Sequence, residues 1–127
     1  MKNVWEIELD ILDTRVCFCY GTKAYNKHIR TVYGLTAPMS KTAIAVDVTD
    51  KQGYTEYAIG VEAFDNHTMS SLEYTALIVH EITHIVSMLI DYTGIDNDEF
   101  RCVVTQYLYS KIMSIVETIF IKEGINK

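Results

Sequence analysis

The reading of this chain turns on residues 70–93, SSLEYTALIVHEITHIVSMLIDYT. Ser70 and Glu73 stand in the S-x-x-E arrangement of a capping box, in which each side chain satisfies a backbone N–H that the first helical turn leaves without a partner. The spacing predicts a long helix that begins there, runs to about Tyr92 and ends near Gly94. With His80 at zero and about 100° per residue, Leu72, Ile78, Val79, Ile82, Ile85, Val86, Leu89 and Ile90 collect on the opposite arc, which should pack on the core. The histidine side carries Ala76, Thr83 and Ser87, with Leu77 and Met88 at its margin, small enough to leave room for a ligand.

On that helix, His80, Glu81, Ile82, Thr83 and His84 spell H-E-x-x-H. Histidines at i and i+4 lie about 40° apart around the axis. Both imidazoles can reach one ion, and the intervening glutamate sits beside them to activate a metal-bound water. The plainer alternative is a helix with two solvent-exposed histidines and a stray glutamate. Asp91 shares the histidine face but lies roughly 10 Å beyond His84 along the axis, too far for direct ligation.

Upstream, residues 4–9 alternate Val4, Glu6 and Glu8 against Trp5, Ile7 and Leu9, and residues 14–20 are rich in β-branched and aromatic side chains. A β-hairpin is predicted, with residues 10–13 between its strands. Residues 23–33 place Tyr25, Ile29, Val32 and Tyr33 at helical spacing before Gly34, as in a short, mostly solvated helix. After Pro38, residues 42–48 and 54–61 read as two more strands, separated by the turn formers Asp50, Lys51, Gln52 and Gly53. Downstream, a second long helix is predicted from about Asn97 to Ile121. Its Phe100, Val104, Leu108, Ile112, Ile115 and Ile119 recur at helical spacing, as core or an oligomer contact. The fold class is α+β: a small mixed or antiparallel sheet, the H-E-x-x-H helix and a long C-terminal helix, in the order ββαββαα and within a single domain, 1–127.

Composition narrows the function classes. A chain of 127 residues, 49% hydrophobic, can bury one core and is short for two ordinary domains. Seventeen acidic against eleven basic residues give a net charge of -6, without the basic patch that a phosphate backbone requires, so no nucleic-acid partner is expected. Lys2, Glu6, Glu8 and Asp10 break any resemblance of the N-terminus to a secretory signal. The longest apolar stretch, residues 72–90, is interrupted by Glu73, His80, Glu81 and His84, each costly in a bilayer, so no membrane span is expected. Three cysteines make an odd count. Cys17 and Cys19 point to the same face of one predicted strand and cannot easily bridge, which favours reduced thiols and a cytoplasmic location. They read as small strand residues rather than a metal-binding pair.

Leu77–Val86, LIVHEITHIV, resembles the active-site helix of the zincin metallopeptidases, whose motif has uncharged residues flanking both histidines. The resemblance implies a zinc cofactor on His80 and His84, Glu81 as the catalytic base, and a peptide or protein substrate. It also implies that the strand at 54–61, just before the helix, plays the part of the edge strand lining the substrate cleft. Ile90 stands where the metzincin branch has a third histidine. The gluzincin branch instead takes a glutamate from a following helix, which here implies Glu99 in the run Asn97, Asp98, Glu99. The segment 80–108 also resembles small zincin-like proteins of bacteriophages and their hosts, which share the histidine pair, a glycine-containing turn, an N-D-E element and an aromatic-rich helix. Those proteins often show A-Y-L after the N-D-E element, where this chain has Cys102, Val103 and Val104.

Helix arithmetic leaves the third ligand open. A straight first helix puts His84 roughly 12 Å from its end, while Glu99 lies only about 3 Å into the next. A curved helix end, an earlier stop or a steep crossing would bring Glu99, or Asp98, to the ion. Otherwise Cys102 or Gln106 lies nearer, and thiolate is the better zinc ligand. His67, Tyr92 and Tyr107 are the candidates to stabilise an oxyanion. The expected function is a zinc-dependent metallopeptidase with metal ligands His80, His84 and Glu99 and general base Glu81, working in a shallow cleft. The alternative is a catalytically silent zincin-like binding protein, phage-encoded and acting on a host protein in the host cytoplasm. A metal-free structural protein is the third reading, and the oligomeric state is left open.

Overall fold

Four strands form one mixed sheet in the order β1-β2-β4-β3: β1 Val4–Leu9, β2 Thr14–Tyr20, β3 Ala43–Thr49 and β4 Thr55–Val61. This computed structural model describes residues 3–35, 38–39, 42–49, 52–64 and 69–124. The β1–β2 and β3–β4 pairs are antiparallel, with Val4 opposite Cys19 and Ala43 opposite Val61, and β2 runs parallel to β4, with Phe18 opposite Ile59. The sheet is therefore mixed. Its two inner strands are buried almost throughout, as their near-continuous apolar sequences VCFCY and YAIGV require, whereas β1 alternates buried and open residues as an edge strand should. The expectation that residues 54–61 supply an edge strand is corrected, because β4 is paired on both sides and the edges belong to β1 and β3. Of the turn expected at residues 50–53, Asp50 and Lys51 lie outside the described residues.

The helix α1, Thr22–His28, continues through a wider π-helical turn, Ile29–Tyr33, and stops at Gly34 in the left-handed conformation. It is not mostly solvated, as its sequence suggested. Tyr25, Ile29 and Tyr33 are buried in a cluster with Cys17, Cys19 and Ala58. The reason lies on the strands. Gly60 offers no side chain, so the Tyr25 ring lies directly on β4, and a Cβ added there would come within 2.7 Å of Tyr25 Cγ. Cys17, Cys19 and Ala58 are small enough to let the rest of the helix settle alongside.

By contacts the chain divides into two units, Met1–Asn66, which holds the sheet and α1, and His67–Lys127. The second unit is a hairpin of two long helices, α2 Ser71–Thr93 and α3 Asp98–Glu123. Tyr74 near the start of α2 meets Phe120 near the end of α3, ring centroids 6.1 Å apart, so the helices run antiparallel. The buried face of α3 is Val104, Leu108, Ile112, Val116, Ile119 and Phe120. Val116 thus takes the inward place expected of Ile115. Leu72, assigned to the buried arc of α2, is exposed, and Tyr74 is buried instead. The order of the larger elements is the expected ββαββαα. Among the described residues no helix is long and apolar enough to cross a membrane.

Candidate metal centre

Local chemistry fixes both ends of α2. The Ser70 hydroxyl accepts from the Glu73 N–H and the Glu73 carboxylate accepts from the Ser70 N–H, both at 3.1 Å, which completes the capping box. The backbone hydrogen bond from Ser70 holds the Glu73 carboxyl below its ordinary pKa. At the other end Gly94 adopts φ 73° and donates to the Ile90 carbonyl at 2.8 Å, an ending that only a residue without Cβ takes easily. His80 and His84 sit mid-helix between these fixed ends, where the backbone is most constrained.

Both histidines are exposed, and their Nε2 atoms are 3.1 Å apart, with the rings edge-to-face. A tetrahedral ion with zinc–nitrogen bonds of about 2.0–2.1 Å sets neighbouring nitrogen ligands about 3.3 Å apart. The pair therefore has the bite of two adjacent zinc ligands. The same separation serves a neutral imidazole donating a hydrogen bond to its neighbour, which satisfies the pair without metal. Glu81, between them in sequence, is buried on the margin between the histidine arc and the core arc. Among the described residues it makes no hydrogen bond or ion pair, so its carboxylate is not committed to a structural role.

The third ligand is where the structure and the family pattern part. Because α2 does run on to Thr93, the antiparallel hairpin sets His80 and His84 opposite roughly residues 108–114 of α3. Glu99, in the first turn of α3, lies about 13 Å or more away from that level. Asp98 and Cys102 stand near the same end, and both are exposed. Among the described residues no three His, Cys, Asp or Glu side chains come close enough to hold one ion. The structure thus brings together His80 and His84 and does not bring Glu99 to them. Of the oxyanion candidates, Tyr92 is exposed at the end of α2, Tyr107 lies on α3 beneath the Lys111 ammonium, and His67 lies outside the described residues.

The sheet unit holds a polar cluster that the sequence reading missed. Glu56 is buried on β4, where its carboxylate pairs with Arg15 at 2.8 Å and accepts from the Tyr33 hydroxyl at 2.5 Å. Hydrogen bonding to Glu56 raises the Arg15 pKa, and burial raises that of Tyr33. A lone charge in each otherwise apolar inner strand was the available signal. A cleft of about 350 Å³ lined by Glu8, Asp10, Asp13 and Tyr54 opens beside this pair, and a groove of about 480 Å³ runs along Lys23, Lys27, His28 and Thr31. Neither cavity includes His80 or His84. All three cysteines are free. Burial pushes the Cys17 and Cys19 thiols up to about 12, consistent with packing rather than ligation.

Comparison of the chain with protein-family models, with curated proteins and with solved structures finds no match.

Proposed function

We propose that this chain is a zinc-dependent metallopeptidase of the zincin type, with His80 and His84 as metal ligands and Glu81 as general base. The observation that carries the reading is the 3.1 Å approach of two exposed imidazole nitrogens on one rigid helix, with a carboxylate uncommitted to any ion pair one residue away. The donor set fits zinc in ligand type and in bite. A bound zinc would supply a Lewis acid toward the scissile carbonyl and the attacking water. The Glu81 carboxylate would take the proton from that water and return it to the leaving amine.

The test is metal content together with cleavage of a peptide library by the wild type and Glu81→Gln. Zinc retained in both with cleavage lost in the variant supports the proposal. Equal cleavage by the two removes Glu81 from the mechanism, and a wild type that takes up no zinc removes the site. A second reading, the silent binding protein acting on a host protein, is favoured by one observation: no third donor joins the pair among the described residues. On that reading zinc binds, neither form cleaves, and His80→Ala lowers the melting temperature only when zinc is present.

A further inference from the structure

We infer that the histidine pair is completed by a second copy of this chain, so that one zinc ion is held between two α2 helices by four imidazoles, His80 and His84 from each. The inference rests on the part of the proposal above in which the pair binds zinc, and is independent of peptide hydrolysis.

Three observations lead to it. The first is the count of donors. Two imidazoles with the bite of a tetrahedral edge occupy half of a zinc coordination shell. The residues of α3 at their level, 108–114, are Leu108, Tyr109, Ser110, Lys111, Ile112, Met113 and Ser114, which include no carboxylate, thiol or imidazole. The second is access. His80 and His84 lie on a solvent-facing arc, and the side chains between and beside them on that arc, Ala76, Thr83 and Ser87, are small and exposed. Two imidazoles from a facing helix can therefore approach the ion past these three side chains. The third is charge. Apart from Glu81, which is buried at the margin of this arc, no charged side chain lies within a turn of the pair on its own face. Glu73 and Asp91, the nearest other acids there, are each about 10 Å along the axis. Each copy carries a net charge of -6, so two copies repel one another and the divalent ion supplies what draws them together. A two-fold axis through the ion makes the arrangement closed and self-complementary. Four nitrogen donors leave no position for water, so this arrangement is a structural metal site and not a hydrolytic one.

The experiment is sedimentation equilibrium of the untagged full chain in EDTA and in a zinc titration, with bound zinc measured on the same samples. In EDTA the mass should be that of one chain, 14.5 kDa. Zinc should double it, with one ion bound per two chains. His80→Ala and His84→Ala should remain single at all zinc concentrations. Thr83→Arg keeps both ligands but sets a long cation between facing helices, and it should remain single while retaining its circular dichroism spectrum. Glu81→Gln should pair as the wild type does. One zinc per chain at unchanged mass overturns the inference and leaves the metallopeptidase proposal standing. No zinc uptake overturns both. A pair that persists in EDTA or in His80→Ala overturns the inference by showing that the metal does not hold it.

Discussion

At the scale of single residues, Gly60 shows how one missing side chain decides the placement of a helix. Replacing it with alanine forces the new methyl against the Tyr25 ring. Because Tyr25 is anchored in a buried cluster and cannot swing aside, Gly60→Ala should cost about 1–3 kcal/mol, read as a lowered midpoint of urea unfolding with an unchanged slope. The cysteines are a second residue-scale case. Cys102 is exposed on α3, while Cys17 and Cys19 are buried with thiol pKa values pushed up to about 12. A thiol reagent should therefore label one cysteine per native chain at pH 8 and all three after denaturation. Fast labelling of Cys17 or Cys19 in the native protein would mean that the cluster under α1 opens readily.

Among the elements, the two long helices were the most legible part of the sequence because their ends are written locally. Ser70 with Glu73, Gly94, and Asn97 are start and stop signals within a few residues of what they control. Asn97 Oδ1 accepts from the Phe100 N–H at 2.8 Å at the head of α3, and Asn97→Ala should cost about 1 kcal/mol, measurable by thermal unfolding. Most of the buried arc of α2, Ile78, Ile82, Ile85, Val86, Leu89 and Ile90, also followed from periodicity, whereas the exposed histidines fit the plainer alternative of the sequence reading. What the sequence did not reveal depends on distant partners. The solvated reading of α1 failed because the space it fills is made by Cys17, Cys19, Ala58 and Gly60, on strands before and after it. The edge role given to residues 54–61 failed for the same reason, since nothing within a strand says how many neighbours it will have. The difficulty with Glu99, by contrast, was visible in the helix lengths, and the extension of α2 to Thr93 upholds it.

For the molecule as a whole, pH is the most direct probe of the buried polar groups. His28 is held below its ordinary value of 6.5, chiefly by burial and also by Arg15, against the opposing pull of Glu6 and Glu56. Its Nε2 is buried without a hydrogen-bond partner. The unfolded chain thus binds a proton at this residue more readily than the folded one. Its contribution is fully present above about pH 6.5 and is lost as the pH falls through the depressed folded value. The melting temperature should drop between pH 7 and pH 5, and His28→Gln should flatten that drop. An unaltered profile in the variant would assign the pH dependence to other groups.

The parallel pairing of β2 with β4 bears on how the chain reaches its native state. Each antiparallel pair can close on itself soon after its own residues meet, and α2 can zip against α3 from the short connection at 94–97. Joining the two strand pairs is different, because the contact between Thr14 and the Thr55 carbonyl spans 41 residues. Loop-closure entropy must be overcome before that seam returns any energy. The β2–β4 seam should therefore be the late, rate-setting event of the sheet. Until it forms, the apolar sequences VCFCY and YAIGV each present an open strand edge, and crowded chains face their greatest hazard of aggregation during that interval.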